Sequence, residues 1–188
     1  MAGNGIWTNL TRGHGPTVVD WFLEPTCPNS ARAFGKILPL LERAGEERIT
    51  IRITMHSQPW HLFSGLVSRA VLAAASLPGS RDMAWKVLAA VYDNREDFVA
   101  TEHSHGPNMA VALADMLRRI DDYSGGDLGE IFVRKEVTDL LKKHTRFARQ
   151  NGIHASPSVM VDGLVNDKIS SRDEIDAWMV QLGLSPDS

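Results

Sequence analysis

The amino-acid sequence predicts an α/β fold in which a helical block separates a βαβ unit from a later β-hairpin. Three observations support this prediction. Two strand-like runs flank a helical pattern within the first sixty residues, and a strand–turn–strand pattern returns near residue 160. Between them, apolar residues recur at helical spacing. The order of these patterns places the helical block inside the α/β unit.

The first half begins with a buried strand. Residues 18–23 form a short apolar, β-branched and aromatic run that contains one acid. A helix is expected to open near Pro28, whose missing N–H is harmless in a first turn, and to end at Gly45. Residues 48–55 then alternate apolar and polar side chains, as a strand does. This order predicts a parallel pair of strands with a right-handed crossover.

The middle of the chain is expected to be helical from about residue 60 to residue 150. The expected helices cover 62–77, 81–92, 108–120 and 127–150, the last as two helices or one bent helix. We therefore predict a domain built from residues 1–58 and 151–188, with residues 59–150 forming an inserted helical domain.

The second β region is expected to be a hairpin followed by a helix. Residues 158–161 form the first strand, Asp162-Gly163 is a turn signal, and residues 164–169 return. Ser170 or Ser171 is expected to cap the final helix, because Glu174 lies at the capping-box offset from Ser171.

Composition limits the classes of function. The net charge of −3 gives no basic field for nucleic acid or an anionic membrane, and no apolar run is long enough for a membrane span. The single cysteine excludes an internal disulfide and a four-cysteine zinc site. No apolar signal segment is visible at the start, so we expect a cytoplasmic protein. Residues 6–8 are a candidate for an edge strand or for a homodimer contact.

Cys27 is the residue with the clearest chemical potential. It opens the run Cys27-Pro28-Asn29-Ser30, between the first expected strand and the first expected helix. A helix N-terminus offers free N–H groups and the positive end of its dipole, and both stabilise a thiolate. The thiolate is the form that attacks disulfides. We therefore expect a reactive Cys27, against the alternative of a buried structural cysteine.

Two segments of the sequence resemble thioredoxin-fold proteins of the DsbA-like kind. Residues 19–30, with their Cys-Pro opening at Cys27, resemble the strand and active-site turn of that family. Residues 152–163 resemble its cis-proline segment. The resemblance covers nearly the whole chain and implies a thioredoxin fold with an inserted helical domain. It also implies that the Ser156-Pro157 peptide is cis and faces Cys27. In that family the residue before the proline, here Ser156, contacts the substrate.

The sequence departs from that family at two positions. Ser30 replaces the second cysteine of the motif, and a hydroxyl cannot release a mixed disulfide. The family also often carries a buried acid six residues before its first cysteine. That offset falls here on Trp21, with Asp20 one residue further back.

Three functions stay open for a site of this kind. The first is a thiol–disulfide oxidoreductase or disulfide isomerase that acts on protein or small-molecule substrates through Cys27. An external thiol, with glutathione as the candidate co-substrate, would then resolve the intermediate. The second is a glutathione-dependent transferase or isomerase that resembles the kappa class, with Ser30 holding the thiolate. The third is a non-catalytic module that binds a peptide along Ser156 and Pro157.

The expected site combines these motifs with two histidines. His56 and His61 follow the second strand, whose end shares an edge with Cys27, and an imidazolium there would favour the thiolate. The alternative is that both are ordinary loop histidines. His103-Ser104-His105 lacks a third ligand at metal spacing, so neither a metal nor a bound cofactor is expected. The expected catalytic residues are Cys27 and Ser30, and the expected substrate-binding residues are Pro28, Asn29, Ser156, Pro157, His56 and His61.

Overall fold

The structure is a computed structural model that describes residues 4–79 and 81–184. The outer ends of the expected domains, residues 1–3 and 185–188, therefore lie outside the described residues. In chain order the strands and helices are β1 (Thr11–Gly13), β2 (Thr17–Leu23), α1 (Pro28–Ala44), β3 (Ile49–Met55), α2 (Ser64–Ala75), α3 (Met83–Asp93), α4 (Leu113–Ser124), α5 (Gly129–Phe132), α6 (Lys135–Gln150), β4 (Ser158–Val161), β5 (Leu164–Val165) and α7 (Ile175–Gln181). Short 3-10 turns lie at Asn4–Ile6, Arg95–Phe98 and Pro107–Ala110.

The centre of the fold is a mixed five-stranded sheet in the order β1-β3-β2-β4-β5. Strands β2 and β3 are parallel, with Thr17 opposite Ile49 and Leu23 opposite Met55. The other neighbours, β1 with β3, β2 with β4 and β4 with β5, are antiparallel. The expected α/β fold with a parallel βαβ unit is thus confirmed. Because β2 and β3 end at the same edge, the residues that follow them meet there.

The central strand β2 contributes side chains to both faces of the sheet. Trp21 belongs to the main apolar core and packs on Trp178 of α7, with ring centroids 4.7 Å apart. Phe22 points to the opposite face and stacks on Phe147 of α6 at 5.6 Å. Helix α7 therefore covers one face, together with the α1 helix that it contacts, and α6 covers the other.

Helices α2 to α6 lie between β3 and β4 in the chain, as expected, and residues 127–150 form two helices rather than one. Helix α2 contacts α3, α4, α5 and α6. The buried residues of α2, α3 and α4 join the same apolar cluster as β2 and β3. The division into residues 1–58 with 151–188 and residues 59–150 stays a prediction. Among the described residues, no helix is both long and apolar enough to cross a membrane.

The final helix differs from the sequence-based expectation. Helix α7 begins at Ile175 with Glu174 at its N-cap, and no side chain caps it. The preceding residues form a turn instead, because the Asp173 carboxylate accepts the N–H of Ser170 at 2.8 Å. The hydroxyl of Ser170 accepts the N–H of Arg172 at 3.2 Å. The expected capping box is therefore wrong.

Two further local expectations differ from the structure. The edge strand is Thr11–Gly13 and not residues 6–8, whose alternative role as a homodimer contact stays a prediction. The hairpin returns only over Leu164–Val165, since the Asn166 side chain then accepts the N–H of Lys168 at 3.0 Å and starts a turn.

Candidate active site

Cys27 is the N-cap residue of α1, with an extended backbone and with Pro28 in the first helical turn. Its thiol lies 3.7 Å from the carbonyl oxygen of Ser156, although the two residues are 129 positions apart in the chain. The Ser156-Pro157 peptide is cis. Cys27 is only 6% exposed. The strand–helix turn and the cis-proline segment are thus brought together, as the resemblance implies.

The other residues of the Cys27 motif point in different directions. Ser30 is fully buried, and its hydroxyl accepts the N–H of Glu24 at 3.2 Å. Pro28 and Asn29 are exposed beside Cys27. The Asn29 side chain accepts a hydrogen bond from Arg32 at 3.3 Å. The catalytic role of Ser30 and the binding roles of Pro28 and Asn29 stay predictions.

Glu24, which the sequence-based reasoning missed, is a fully buried acid in the active-site turn. Its carboxylate accepts the Thr26 N–H at 2.9 Å and the Thr26 hydroxyl at 2.9 and 3.0 Å. Burial raises the pKa of Glu24, against hydrogen bonds from Ser64 and Thr26 that lower it. The sequence contained a signal for Glu24, because it lies between the apolar run 18–23 and the Cys27 motif. An acid buried at such a position needs hydrogen-bond partners.

A hydrogen-bonded chain connects Glu24 to His61. Nδ1 of His61 lies 3.2 Å from the Thr26 hydroxyl oxygen and 3.6 Å from the Glu24 carboxylate. When the Thr26 hydroxyl donates to Glu24, its oxygen can only accept from His61, so His61 then carries its proton on Nδ1. Burial, followed by the charges of His103 and Arg95, lowers the pKa of His61.

His56, the residue after β3, is also a weak base in this structure. Burial, and next the charge of His154, lowers the pKa of His56. Its buried Nε2 atom has no hydrogen-bond partner among the described residues. The nearby Gln58 side chain donates to the carbonyl oxygen of His154 at 3.3 Å. Because His56 and His61 both favour the neutral form, neither supplies the standing imidazolium considered from the sequence. Their roles in substrate binding stay predictions.

Asp20 is occupied away from the thiol. Its carboxylate accepts two hydrogen bonds of 2.6 Å from the guanidinium of Arg52 on β3. Arg52 in turn lies 3.9 Å from the ring centroid of Trp7. Asp20 therefore joins strands β2 and β3 through its ion pair with Arg52. The buried acid of the active-site turn is Glu24.

Side chains from the helical segment hold the backbone of this turn. The Tyr92 hydroxyl donates to the Glu24 carbonyl oxygen at 3.2 Å. Arg95 donates to the Thr26 carbonyl oxygen at 3.3 Å. His103 contacts His61 edge to face, with ring centroids 5.0 Å apart. Within the described residues, no group of three His, Cys, Asp or Glu side chains could hold a metal ion.

Comparison with solved structures identifies the fold and the family. BdbD from Bacillus subtilis, in its oxidised form, matches with a TM-score of 0.65 and 14% identity over 93% of this chain and 90% of that one. The thiol-disulfide exchange protein alpha-DsbA2 from Wolbachia pipientis matches with a TM-score of 0.67 and 10% identity, over 92% of this chain and 84% of that one. At these identities the likeness shows the thioredoxin-like fold.

A candidate protein-disulfide isomerase from Pseudomonas syringae is much more similar. The two sequences are 46% identical, and the match covers 93% of this chain and 98% of that one. The two structures superpose with a TM-score of 0.91. The chain belongs to the DsbA-like family of thiol–disulfide oxidoreductases. No protein-family model matches the sequence, and no curated protein matches it.

Membership of the DsbA-like family confirms the expectation of an oxidoreductase-type enzyme. This DsbA-like protein differs from the two-cysteine pattern at Ser30, and its sequence contains a single cysteine. The arrangement of Cys27 at a helix N-terminus, opposite the Ser156 carbonyl, suits nucleophilic attack by a thiolate.

Proposed function

We propose that this protein catalyses thiol–disulfide exchange through Cys27 alone, with a thiol from solution completing the cycle. The observation that carries the proposal is the placement of Cys27 at the N-cap of α1, 3.7 Å from the Ser156 carbonyl oxygen. The free N–H groups of the first helical turn favour the thiolate. Ser30 stands where the family has its second cysteine, so the chain offers no internal thiol to release a mixed disulfide.

The reaction balances in two exchange steps. The Cys27 thiolate attacks one sulfur of a substrate disulfide, forms a mixed disulfide and releases the other substrate sulfur as a thiolate. A second thiolate then attacks the mixed disulfide and Cys27 leaves as a thiolate, so one disulfide has replaced another without net oxidation. Glutathione is our candidate for that second thiol, as a co-substrate and not as a bound cofactor.

Isomerisation is the variant of this chemistry that needs the fewest additional groups. When the substrate is a protein with misplaced disulfides, a thiol of that substrate can itself attack the mixed disulfide and release Cys27. A single attacking thiolate then suffices. The 46% identity with a candidate protein-disulfide isomerase supports this variant.

The test is a mixed-disulfide assay on the full chain. Purified protein is mixed with glutathione disulfide, the adduct on Cys27 is measured by mass spectrometry, and glutathione is added to release it. Reactivation of a scrambled disulfide-containing substrate protein is measured in parallel. We expect adduct formation, release and reactivation, with none of the three in Cys27→Ala. An iodoacetamide profile over pH that matches a cysteine-containing peptide, together with no exchange, would contradict the proposal.

The two alternatives receive less support from the geometry. A glutathione transferase that resembles the kappa class would need the Ser30 hydroxyl at a bound thiol, whereas that hydroxyl is buried against the Glu24 N–H. A non-catalytic peptide-binding module would not need a reactive Cys27. Retained biological activity in Cys27→Ser would favour the module over both enzymes.

A further inference from the structure

A small cavity lies between the active-site turn and the helical segment. Its volume is about 280 Å³, and two of its walls are Thr26 and Pro28, the neighbours of Cys27 in the chain. Apolar residues such as Phe98 complete it. At this size it suits a ligand smaller than a typical drug molecule. Its ionisable residues are His61, Arg95, Glu96, Glu102 and His103.

Arg95 is the permanent cation of this cavity. One arm of its guanidinium donates to the Thr26 carbonyl oxygen at 3.3 Å, which fixes the group beside the active-site turn. The other arm pairs with the Glu96 carboxylate, whose side chain is 81% exposed. Exposed ion pairs contribute little free energy, so a carboxylate brought by a ligand can replace Glu96 at Arg95.

His103 reaches the cavity through an unusual loop. Glu102 and His103 are consecutive non-glycine residues with left-handed backbones, at φ values of 48° and 65°. Such conformations cost free energy and persist only where surrounding contacts impose them. Two hydrogen bonds of 2.8 and 2.9 Å between the Thr101 and His105 backbones close this loop. The His103 imidazole of this loop contacts the His61 ring edge to face.

We propose that this cavity binds the carboxylate of a small anionic thiol, through Arg95 with His61 and His103, and that this thiol is the one that releases Cys27. This inference rests on the proposed function. It specifies the charge and the size of the thiol that completes the cycle. Three groups that are cationic or can become so line the same cavity as Thr26 and Pro28, the two neighbours of Cys27 in the chain. The exposed carboxylates of Glu96 and Glu102 also line the cavity and oppose an anion, so the attraction of an anionic ligand depends on the permanently charged guanidinium of Arg95.

The chemistry is the second exchange step of the proposed cycle. The thiolate of the bound anionic thiol attacks the mixed disulfide, a new disulfide forms, and Cys27 departs as a thiolate. No other oxidant or reductant is required. Burial, followed by the charges of His103 and Arg95, lowers the pKa of His61, and a carboxylate at Arg95 would offset the charge contribution. Ligand binding is therefore expected to raise the pKa of His61.

The experiment compares thiols that differ in charge. Cys27 is first converted to a mixed disulfide with 2-mercaptoethanol, and its release is timed with mercaptoacetate, 2-mercaptoethanol and cysteamine. Each rate is divided by the rate for the same disulfide on a short cysteine peptide, which removes the intrinsic reactivity of the thiol. We expect the anionic thiol to be preferred over the cationic one by about tenfold.

Three variants decide whether Arg95 carries the preference. Arg95→Met should reduce it by about fivefold, and Glu96→Gln, which frees the guanidinium, should increase it. Arg118→Met is the matched control, because Arg118 is 69% exposed, pairs with Asp115 and does not line the cavity. An equal charge preference in all four proteins would overturn the cavity assignment while leaving exchange at Cys27 intact. Failure to form any mixed disulfide would instead overturn the proposed function.

Discussion

The carboxylate of Glu24 lies 3.6 Å from Nδ1 of His61, and the Thr26 hydroxyl is hydrogen-bonded to both residues. The contact has the geometry of an ion pair, but burial acts against both charges. Burial raises the pKa of Glu24 and lowers the pKa of His61. Burial therefore favours the neutral form of both residues, and Glu24 becomes anionic only above its raised pKa.

The charge state of Glu24 should control the reactivity of Cys27. The Cys27 backbone N–H donates to the Glu24 main-chain carbonyl oxygen at 3.2 Å, and Cys27 is also among the groups that act on the pKa of the Glu24 carboxylate. An ionised Glu24 therefore places a negative charge in the same turn as the thiol and disfavours the thiolate. Glu24→Gln keeps the shape and removes the charge. We expect its alkylation by iodoacetamide near neutral pH to be about 3- to 10-fold faster than in the wild type. The difference should narrow in acid, where Glu24 is protonated.

The control for Glu24 is a carboxylate on the same stretch of chain that faces solvent. Glu42 on α1 is exposed, and Glu42→Gln makes the same change in net charge. It should leave the alkylation rate unchanged, because exposed charges far from a site are screened by salt. Identical pH profiles for the wild type and Glu24→Gln would show that Glu24 does not act on Cys27.

The ion pair between Asp20 and Arg52 should matter for stability and not for exchange. Asp20 is fully buried, whereas the Arg52 side chain is 24% exposed. Arg52→Met leaves a buried carboxylate without its partner and should cost about 3 kcal/mol of unfolding free energy. Asp20→Asn leaves a partly exposed cation and should cost less, about 1–2 kcal/mol. Urea unfolding measures both.

The reactivity of Cys27 provides the second readout for this pair. Because Asp20 bonds to Arg52 and not to the active-site turn, alkylation of folded Asp20→Asn should match the wild type. A slowed or shifted alkylation profile in Asp20→Asn would reinstate Asp20 as an acid of the site.

Ser30→Cys should convert the single-thiol site into a self-resolving one. Ser30 follows Cys27 by one helical turn, a separation compatible with disulfide geometry. We expect the mixed disulfide on Cys27 to release its adduct without added thiol, through an internal disulfide seen as a loss of two hydrogens by mass spectrometry. Ser30→Ala, which also removes the hydroxyl, is the control and should keep its adduct. If the adduct persists in Ser30→Cys, a thiol at position 30 cannot reach the mixed disulfide on Cys27, and the prediction is wrong.

The order of strands and helices was predictable because periodic apolar patterns and turn residues repeat over many positions. Strand β4 occupies the expected residues 158–161, and α1 ends before Gly45 as expected. Helix ends were less predictable, since Asp173 competes with Ser171 for the turn before α7. The position of such a helix end depends on individual hydrogen bonds, which a periodic apolar pattern does not predict.

The contact between Cys27 and the Ser156-Pro157 segment was predicted from the resemblance to DsbA-like proteins, because both segments match motifs of that family. Glu24 and Arg95 could not be placed in the same way, because their contacts depend on how the helical segment packs on the turn. Asp20 lies one residue from the offset at which the family carries its acid, and its pairing with Arg52 depends on the register of β2 against β3.

His144 on α6 should make the fold sensitive to acid. It is fully buried, with Nδ1 accepting the Met55 N–H at 3.0 Å and Nε2 lying 2.6 Å from the Ile6 carbonyl oxygen. Both contacts require neutral imidazole with its proton on Nε2, because Nδ1 is already an acceptor. Burial lowers the pKa of His144 from 6.5 to about 4.

The sign of the effect follows from proton binding. Below about pH 6.5 the unfolded chain protonates this histidine, while the folded chain resists until about pH 4. The contribution of His144 is thus complete above pH 6.5 and is lost as the pH falls toward 4, by up to about 3 kcal/mol. Glu24 acts in the opposite direction, because its raised pKa lowers stability as the pH rises above 4.5. The comparison is therefore best made in a Glu24→Gln background.

Urea unfolding between pH 4.5 and 7.5 measures this linkage. Adding His144→Gln to Glu24→Gln should lower the unfolding free energy at neutral pH by about 1–3 kcal/mol, since a buried hydrogen-bond partner is lost. The same change should flatten the decline of stability between pH 6.5 and 4.5, because the group that the unfolded chain protonates is gone. Equal slopes with and without His144 would show that the acid sensitivity of the fold arises from other groups.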